Sequence, residues 1–362
     1  MSRKFGRKIK RVVIKIGSGI IANFYMKPQS SGLRSIVKEI ALLRKKGIDV
    51  VLVSSGSIVL GLGEIREHVR PTDVASLQAL AAIGQNVLMR TYTDLLKKSK
   101  LRCAQVLLTW EDFDDRKRYN NARSTINKIL GYGLVPIINE NDTISTDEIK
   151  FGDNDKLSAL VASAIEADLL LILSDVDGLY DSKDKEKKIF REIKEVTKEI
   201  ESLALGTTKK NVSKGGMITK IEAVKIATHA KIPCVIANGD TRNVVKDVIA
   251  GKRIGTFFFE KEEKLLAKRH WISFGAKPKG KVVIDQGAKE ALLKGGRSLL
   301  LPGIVSWEGH FKKEDVVVIV DQKDSEIARG IINYSVGDLH KIDDKKRKTE
   351  VIHRNDMVLC QR

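Results

Sequence analysis

The stretch "RVVIKIGS" at residues 11–18, followed by "LRSIVKEIALLRKKG" at 33–47 and "DVVLVSSG" at 49–56, decides the fold. The first and third pieces are short, rich in β-branched residues and continuously apolar. The middle one carries its apolar residues at helical spacing and ends in Gly. A strand that is apolar on both faces must be covered on both, so strand, helix, strand in this form predicts a mainly parallel sheet sandwiched by helices. The alternation continues through "AQVLLT", "GLVPIIN", "ADLLLILSD" and "IPCVIANG" and accounts for residues 8–259. The texture then changes. Residues 260–279 read as a linker, and residues 280–362 hold short runs, "KVVIDQG", "GIVSWEG" and "DVVVIVD", cut by Gly and acidic turn residues, with one helical segment, "GAKEALLKGG". A small, mostly β domain is predicted there.

At 362 residues and 42% hydrophobic content the chain is long enough for two cores and is not a disordered polymer. No apolar run approaches the roughly 18 residues that a membrane span needs. The basic start "MSRKFGRKIKR" is followed by an apolar run interrupted by Lys15, which does not fit a signal segment, so a cytoplasmic protein is expected. Cys103, Cys234 and Cys360 lie far apart and in no metal or redox spacing, which suits a reducing compartment. The net charge of +19 is spread along the chain, with +6 in residues 261–362 and +13 before them. It leaves a polyanionic partner open and selects none.

In sheets of this kind ligands bind outside the carboxyl ends of the strands. After the first strand comes "KIGSG", where Lys15 is the only charge in an apolar run, and Gly17, Ser18 and Gly19 can turn their N–H groups toward one point. This is either an anion nest with a neutralising lysine or a tight turn beside a lysine reaching for water. "VSSGSIVLG" places Ser54, Ser55, Gly56 and Ser57 at a helix start, which suits an anion and equally an ordinary cap. "SKGGMITK" is a Gly-rich loop with Lys220 in the first turns of a helix, a position that favours an anion nearby.

A polar loop follows the strand "GLVPI": Asn139, Glu140, Asn141 and Asp142, then Asp153, Asn154 and Asp155 at the next helix start. Such carboxylates can organise lysines, hold Mg²⁺ through water or bind an ammonium group, and a helix cap uses the same residue types. None of the six histidines falls in these loops, so neither a hydrolase triad nor a zinc site is expected, and no protein metal site is assigned. Phosphoryl transfer to an already ionised acceptor needs positive charge more than it needs a base.

Taken together, "VVIKIGS", "VLVSSGSI", "QALAAIGQ", "LLTWEDFDDRKRYNNARSTI", "VPIINENDTISTDEIKFGDNDKLSALVA", "LLILSDVDGLY" and "GGMITKIEAVKIATHAKI" resemble the glutamate 5-kinase branch of the amino acid kinase family. The tail from Gly280 onward resembles a PUA domain. The resemblance implies ATP-dependent phosphorylation of the L-glutamate side-chain carboxylate, with Mg²⁺, inhibition by proline and assembly as a homo-oligomer. It implies that Lys15 and Lys220 flank the transferring phosphoryl group and that Asp155 holds them. Ser55, Gly56, Asp142 and Asn154 would bind glutamate. Ser174 and Asp175, with Lys214, Gly215, Gly216, Met217, Ile218, Thr219 and Lys220, would meet the nucleotide. On this reading Asp153 caps the helix while Asn154 and Asp155 serve the ligand. Two alternatives accompany it: a sister kinase acting on another carboxylate, and a protein acting mainly on RNA through the PUA domain.

Overall fold

A computed structural model describes residues 3, 5–27, 32–67, 69–145, 154–181, 188–205, 216–261, 269, 271–339 and 349–360. By its contacts the chain divides into two units, one of residues 1–112 with 116–264 and one of residues 113–115 with 265–362.

The first unit is built on one sheet. Its strands are β1 (Arg11–Ile16), β2 (Asp49–Ser54), β3 (Cys103–Leu108), β4 (Val135–Glu140), β5 (Leu169–Ser174), β6 (Glu192–Ile193), β7 (Cys234–Asn238) and β8 (Thr256–Phe258), in the order β3-β4-β2-β1-β5-β7-β8-β6. Every pairing is parallel except β7 with β8. The apolar strands predicted from the sequence are the central ones. Every residue of β5 is buried, as are all of β1 after Arg11. Each such Leu, Ile or Val contributes roughly 1.5–3 kcal/mol over leaving it in water. The antiparallel pairing of β8 with β7 was not legible in the strand and helix rhythm.

Chain direction then creates a crevice. From β1 the chain moves to β2 on one side and, after β3 and β4, returns to β5 on the other side of β1. The loops after β1 and β5 therefore diverge, which opens a crevice at their carboxyl ends. Beside it, the helices Ser57–Glu64 and Val74–Lys97 cross in backbone contact. A Cβ on Gly61 would lie 2.0 Å from the Leu80 carbonyl oxygen, and one on Gly84 would lie 1.7 Å from that of Ser57. Only glycine permits this approach, and it fixes Ser57 and the neighbouring Gln85 relative to the crevice.

The second unit is mostly β, as its short runs predict. β9 (Gly280–Ile284), β11 (Ile304–Gly309), β12 (Val316–Asp321), β13 (Glu326–Ile331) and β15 (Met357–Leu359) form a sheet in the order β11-β9-β12-β13-β15, and β10 (Leu299–Leu300) pairs with β14 (Glu350–Ile352). Its own core holds Val282, Ile284, Leu292, Ile319 and Ile352. The helix Gln286–Gly295 starts at Asp285, whose carboxylate accepts from the Ala288 N–H at 2.7 Å, and ends at Gly296 with φ 52°.

Candidate active site

Lys15 lies on β1 with its side chain 1% exposed, so it does not reach for water. Its Nζ lies 2.7 Å from Oδ1 of Asp155, the first residue of the helix Asp155–Ala164. Lys220, in the helix Met217–His229, places its Nζ 3.1 Å from the other carboxylate oxygen. That oxygen also accepts from the Thr219 hydroxyl at 2.9 Å. Segments more than 60 residues apart in sequence thus converge on one carboxylate, which is wholly buried. Two lysine ammonium groups are thus fixed around one aspartate in a buried place. Positive charge held in position there suits an anion.

The turn after β1 corrects one detail of the expected anion nest. The Gly17 N–H donates to the Leu173 carbonyl at 3.0 Å, tying β1 to β5, and is spent on the sheet. The donors that face outward belong instead to the start of the helix Ser18–Met26. Glycine at 17 keeps room open, because a Cβ there would sit 3.3 Å from the Leu173 oxygen and 3.9 Å from Lys15 Nζ.

A polar wall follows the end of β2. Gly56 has φ 106°, and a Cβ on it would lie 2.9 Å from Ile21 Cγ2, so this turn admits only glycine. It opens the helix Ser57–Glu64, where the Ser57 hydroxyl donates to Asp142 Oδ2 at 3.2 Å. The Ser55 hydroxyl is buried and without a hydrogen-bond partner.

Asn154 holds the N-cap position of the helix Asp155–Ala164, yet its side chain makes no capping bond. Its Nδ2 donates to the Ser54 carbonyl at 2.9 Å and to Asn139 Oδ1 at 2.5 Å, and its Oδ1 is buried with no partner among the described residues. The cap that the sequence reading gave to Asp153 lies outside the described residues, as do Lys214 and Gly215.

On the other side of the crevice, Ser174 ends β5 and its hydroxyl donates to Asp175 Oδ1 at 2.8 Å. Gly216 caps the helix that carries Met217, Ile218, Thr219 and Lys220. Met217 is buried in the packing, so only its backbone is offered to a ligand. Cys234 lies buried on β7, where burial and then the negative charge of Asp155 push its thiol well up; it is an inert core residue.

Sequence reasoning named Asn154 and the Ser54–Ser57 turn and missed their support. Asn139 Nδ2 donates to Gln85 Oε1 at 2.8 Å, and the Ser54 hydroxyl shares a 2.8 Å hydrogen bond with Tyr92, whose phenol burial pushes up. The signal for Gln85 was present: it is a polar residue beside the buried stripe Leu77, Leu80, Ala81, Gly84 and Leu88.

Residues 10–238 match the model of the amino acid kinase family, and residues 280–355 match that of the PUA domain. The glutamate 5-kinase of Dictyoglomus turgidum is 44% identical over 369 residues, covering 98% of both chains. That of Thermoanaerobacter pseudethanolicus is 41% identical over 366 residues, 97% of this chain and 98% of its own. Among solved structures, the carbamate kinase from Giardia lamblia bound to AMP-PNP covers 70% of this chain and 99% of its own at 18% identity, with a TM-score of 0.49. At that distance the likeness decides nothing about substrate. Among the described residues no helix is long and apolar enough to cross a membrane, and no cluster of three metal-ligating side chains occurs.

Proposed function

This chain belongs to the amino acid kinase family, and on that premise we propose how its residues carry the reaction. It transfers the γ-phosphoryl group of ATP to the side-chain carboxylate of L-glutamate, giving L-glutamyl 5-phosphate and ADP, the first step of proline biosynthesis. The acceptor is ionised at neutral pH, so no side chain has to remove a proton. What the step needs is positive charge around the oxygens of the phosphoryl group as it passes between leaving and attacking oxygens.

The observation that carries this reading is the pair of buried lysine ammonium groups held 2.7 and 3.1 Å from one carboxylate. Lys15 and Lys220 would flank the transferring group, and Asp155 would hold them without neutralising both. That is charge fixed before the reaction, in a site with little water to screen it. Glutamate would lie along Ser55, Gly56, Asp142 and Asn154, and the nucleotide along Ser174, Asp175 and the segment 214–220. Mg²⁺ would arrive on the phosphates of ATP, since Asp155 is committed to the lysines and this ion keeps much of its water shell. When bound, it spreads the charge of the phosphates. Proline, which shares the α-carboxylate and a cationic nitrogen with glutamate, would compete in the 139–155 loop.

The test is ATP turnover by the purified protein with and without L-glutamate, with hydroxylamine trapping the acyl phosphate. Hydroxamate should form only when both substrates are present. Faster trapping with another acid, or ATP turnover independent of glutamate, would overturn the assignment.

A further inference from the structure

Asparagine and glutamine amides can turn over, exchanging donor for acceptor, and their orientation follows from what surrounds them. Here two backbone groups that each have a single role decide it. The Glu140 N–H can only donate, and it donates to Asn139 Oδ1 at 2.9 Å. The Ser54 carbonyl can only accept, and it accepts from Asn154 Nδ2. The same Nδ2 also donates to Asn139 Oδ1, so both atoms of that contact are assigned. Asn139 is then left with its Nδ2 facing outward, and Gln85 Oε1 receives it. The chain of bonds runs from the helix Val74–Lys97 through Asn139 to Asn154, and it ends on a buried acceptor, Asn154 Oδ1, for which the described residues supply no donor.

An orphaned buried acceptor is costly unless a ligand supplies the missing donor. Of the groups on an amino diacid, only the α-ammonium donates; both carboxylates accept. We propose that Gln85 is a positioning residue for substrate selection: through Asn139 it locks the Asn154 amide so that Oδ1 receives the α-ammonium of the substrate, and the site thereby prefers α-amino diacids to plain diacids. The proposal rests on the glutamate reading given above. Without the Gln85 acceptor, the Asn139 amide loses one of the bonds that anchor it. The Ser54 carbonyl still sets which way the Asn154 amide faces, but the amide is held less firmly through Asn139, and Oδ1 meets the ammonium less well.

The experiment compares L-glutamate with glutarate, which has the same carboxylates and no ammonium. Gln85→Met removes the acceptor at similar length, and Gln85→Glu retains it. The ratio of kcat/KM for glutamate to that for glutarate should fall roughly 5–10-fold in Gln85→Met, the size of one lost hydrogen bond. The loss should lie in the glutamate KM more than in kcat, with the KM for ATP moving least. Gln85→Glu should retain most of the preference. An unchanged ratio in Gln85→Met, or an equal loss in Gln85→Glu, would overturn the role. If Met proves too bulky beside Gly84, Gln85→Ser makes the same deletion without adding volume. Failure of the wild-type protein to phosphorylate glutamate would be a failure of the underlying function and not of this inference.

Discussion

Two lysine–aspartate clusters, one in each unit, use the same chemistry to opposite ends. In the second unit, Asp321 at the end of β12 binds Lys289 Nζ at 2.6 Å and accepts from the N–H groups of Lys323 and Ser325 at 2.9 and 3.0 Å. One charge meets one charge, the backbone of the turn fills the other oxygen, and the cluster is complete as it stands. In the first unit, Asp155 meets two lysines and a hydroxyl drawn from distant parts of the chain. That cluster sets two ammonium groups around one carboxylate in a buried place. A closed pair holds a turn together, whereas the triad, on the function proposed above, holds two lysines ready for the substrate's phosphate.

The comparison breaks most severely at Asp155. Asp155→Asn should take the shared carboxylate away from two buried ammonium groups, a loss on the order of 3–5 kcal/mol in stability. Urea unfolding of the full chain would read it as a fall in midpoint without a change in slope, and MgATP should restore part of the loss by supplying the missing negative charge. A variant within about 1 kcal/mol of wild type would mean that water or other groups hold the lysines and that Asp155 is not their main counter-charge.

Removing either lysine should do the reverse. Lys15→Ala or Lys220→Ala leaves Asp155 one ammonium partner, so the fold should tolerate it better than Asp155→Asn, while kcat should fall by roughly 10²–10³, as when one fixed electrostatic stabiliser is removed. The glutamate KM should move by no more than a few-fold. Steady-state kinetics with saturating ATP separates the two parameters. A near-normal kcat in either variant would remove that lysine from the transition state.

The same contrast explains what the sequence could and could not disclose. Lys15 stood out because it is a lone charge in a strand otherwise apolar, and Asp155 and Lys220 because they open helices beside glycines or polar neighbours. Those are local signals. That one carboxylate would bridge both lysines is a fact of strand order, since the crevice exists only because β1 lies between β2 and β5. The role of Asn154 was half legible: its type suits a cap or a ligand, and only the bonds to Ser54 and Asn139 take it away from capping. Gln85 was legible as a polar residue beside a buried stripe, but its partner was not. Its reach to Asn139 depends on two helices meeting at Gly61 and Gly84, and no local pattern encodes which helix will be the partner.

The smallest effect is expected at Asp321, and it is visible mainly in acid. The Lys289 ammonium, followed by the Ser325 N–H, holds this carboxyl at about 2, against an ordinary aspartate value near 3.9. A folded value below the unfolded one means that the contribution to stability is fully present above about pH 4 and drains away as pH falls through about 2. Asp321→Asn should therefore be somewhat less stable than wild type at neutral pH, and the gap should close between pH 4 and pH 2. The measurement is the thermal midpoint of the fluorescence of Trp271 and Trp307, taken in a Trp110→Phe background so that only the second unit reports. Replacing the acceptor by an amide keeps its shape and one oxygen for the turn, so the fold should survive and only the titration should vanish. A gap that stays constant down to pH 2 would mean that Asp321 serves the turn through its hydrogen bonds alone, with the charge of Lys289 idle. The two clusters would then differ in more than their count of lysines.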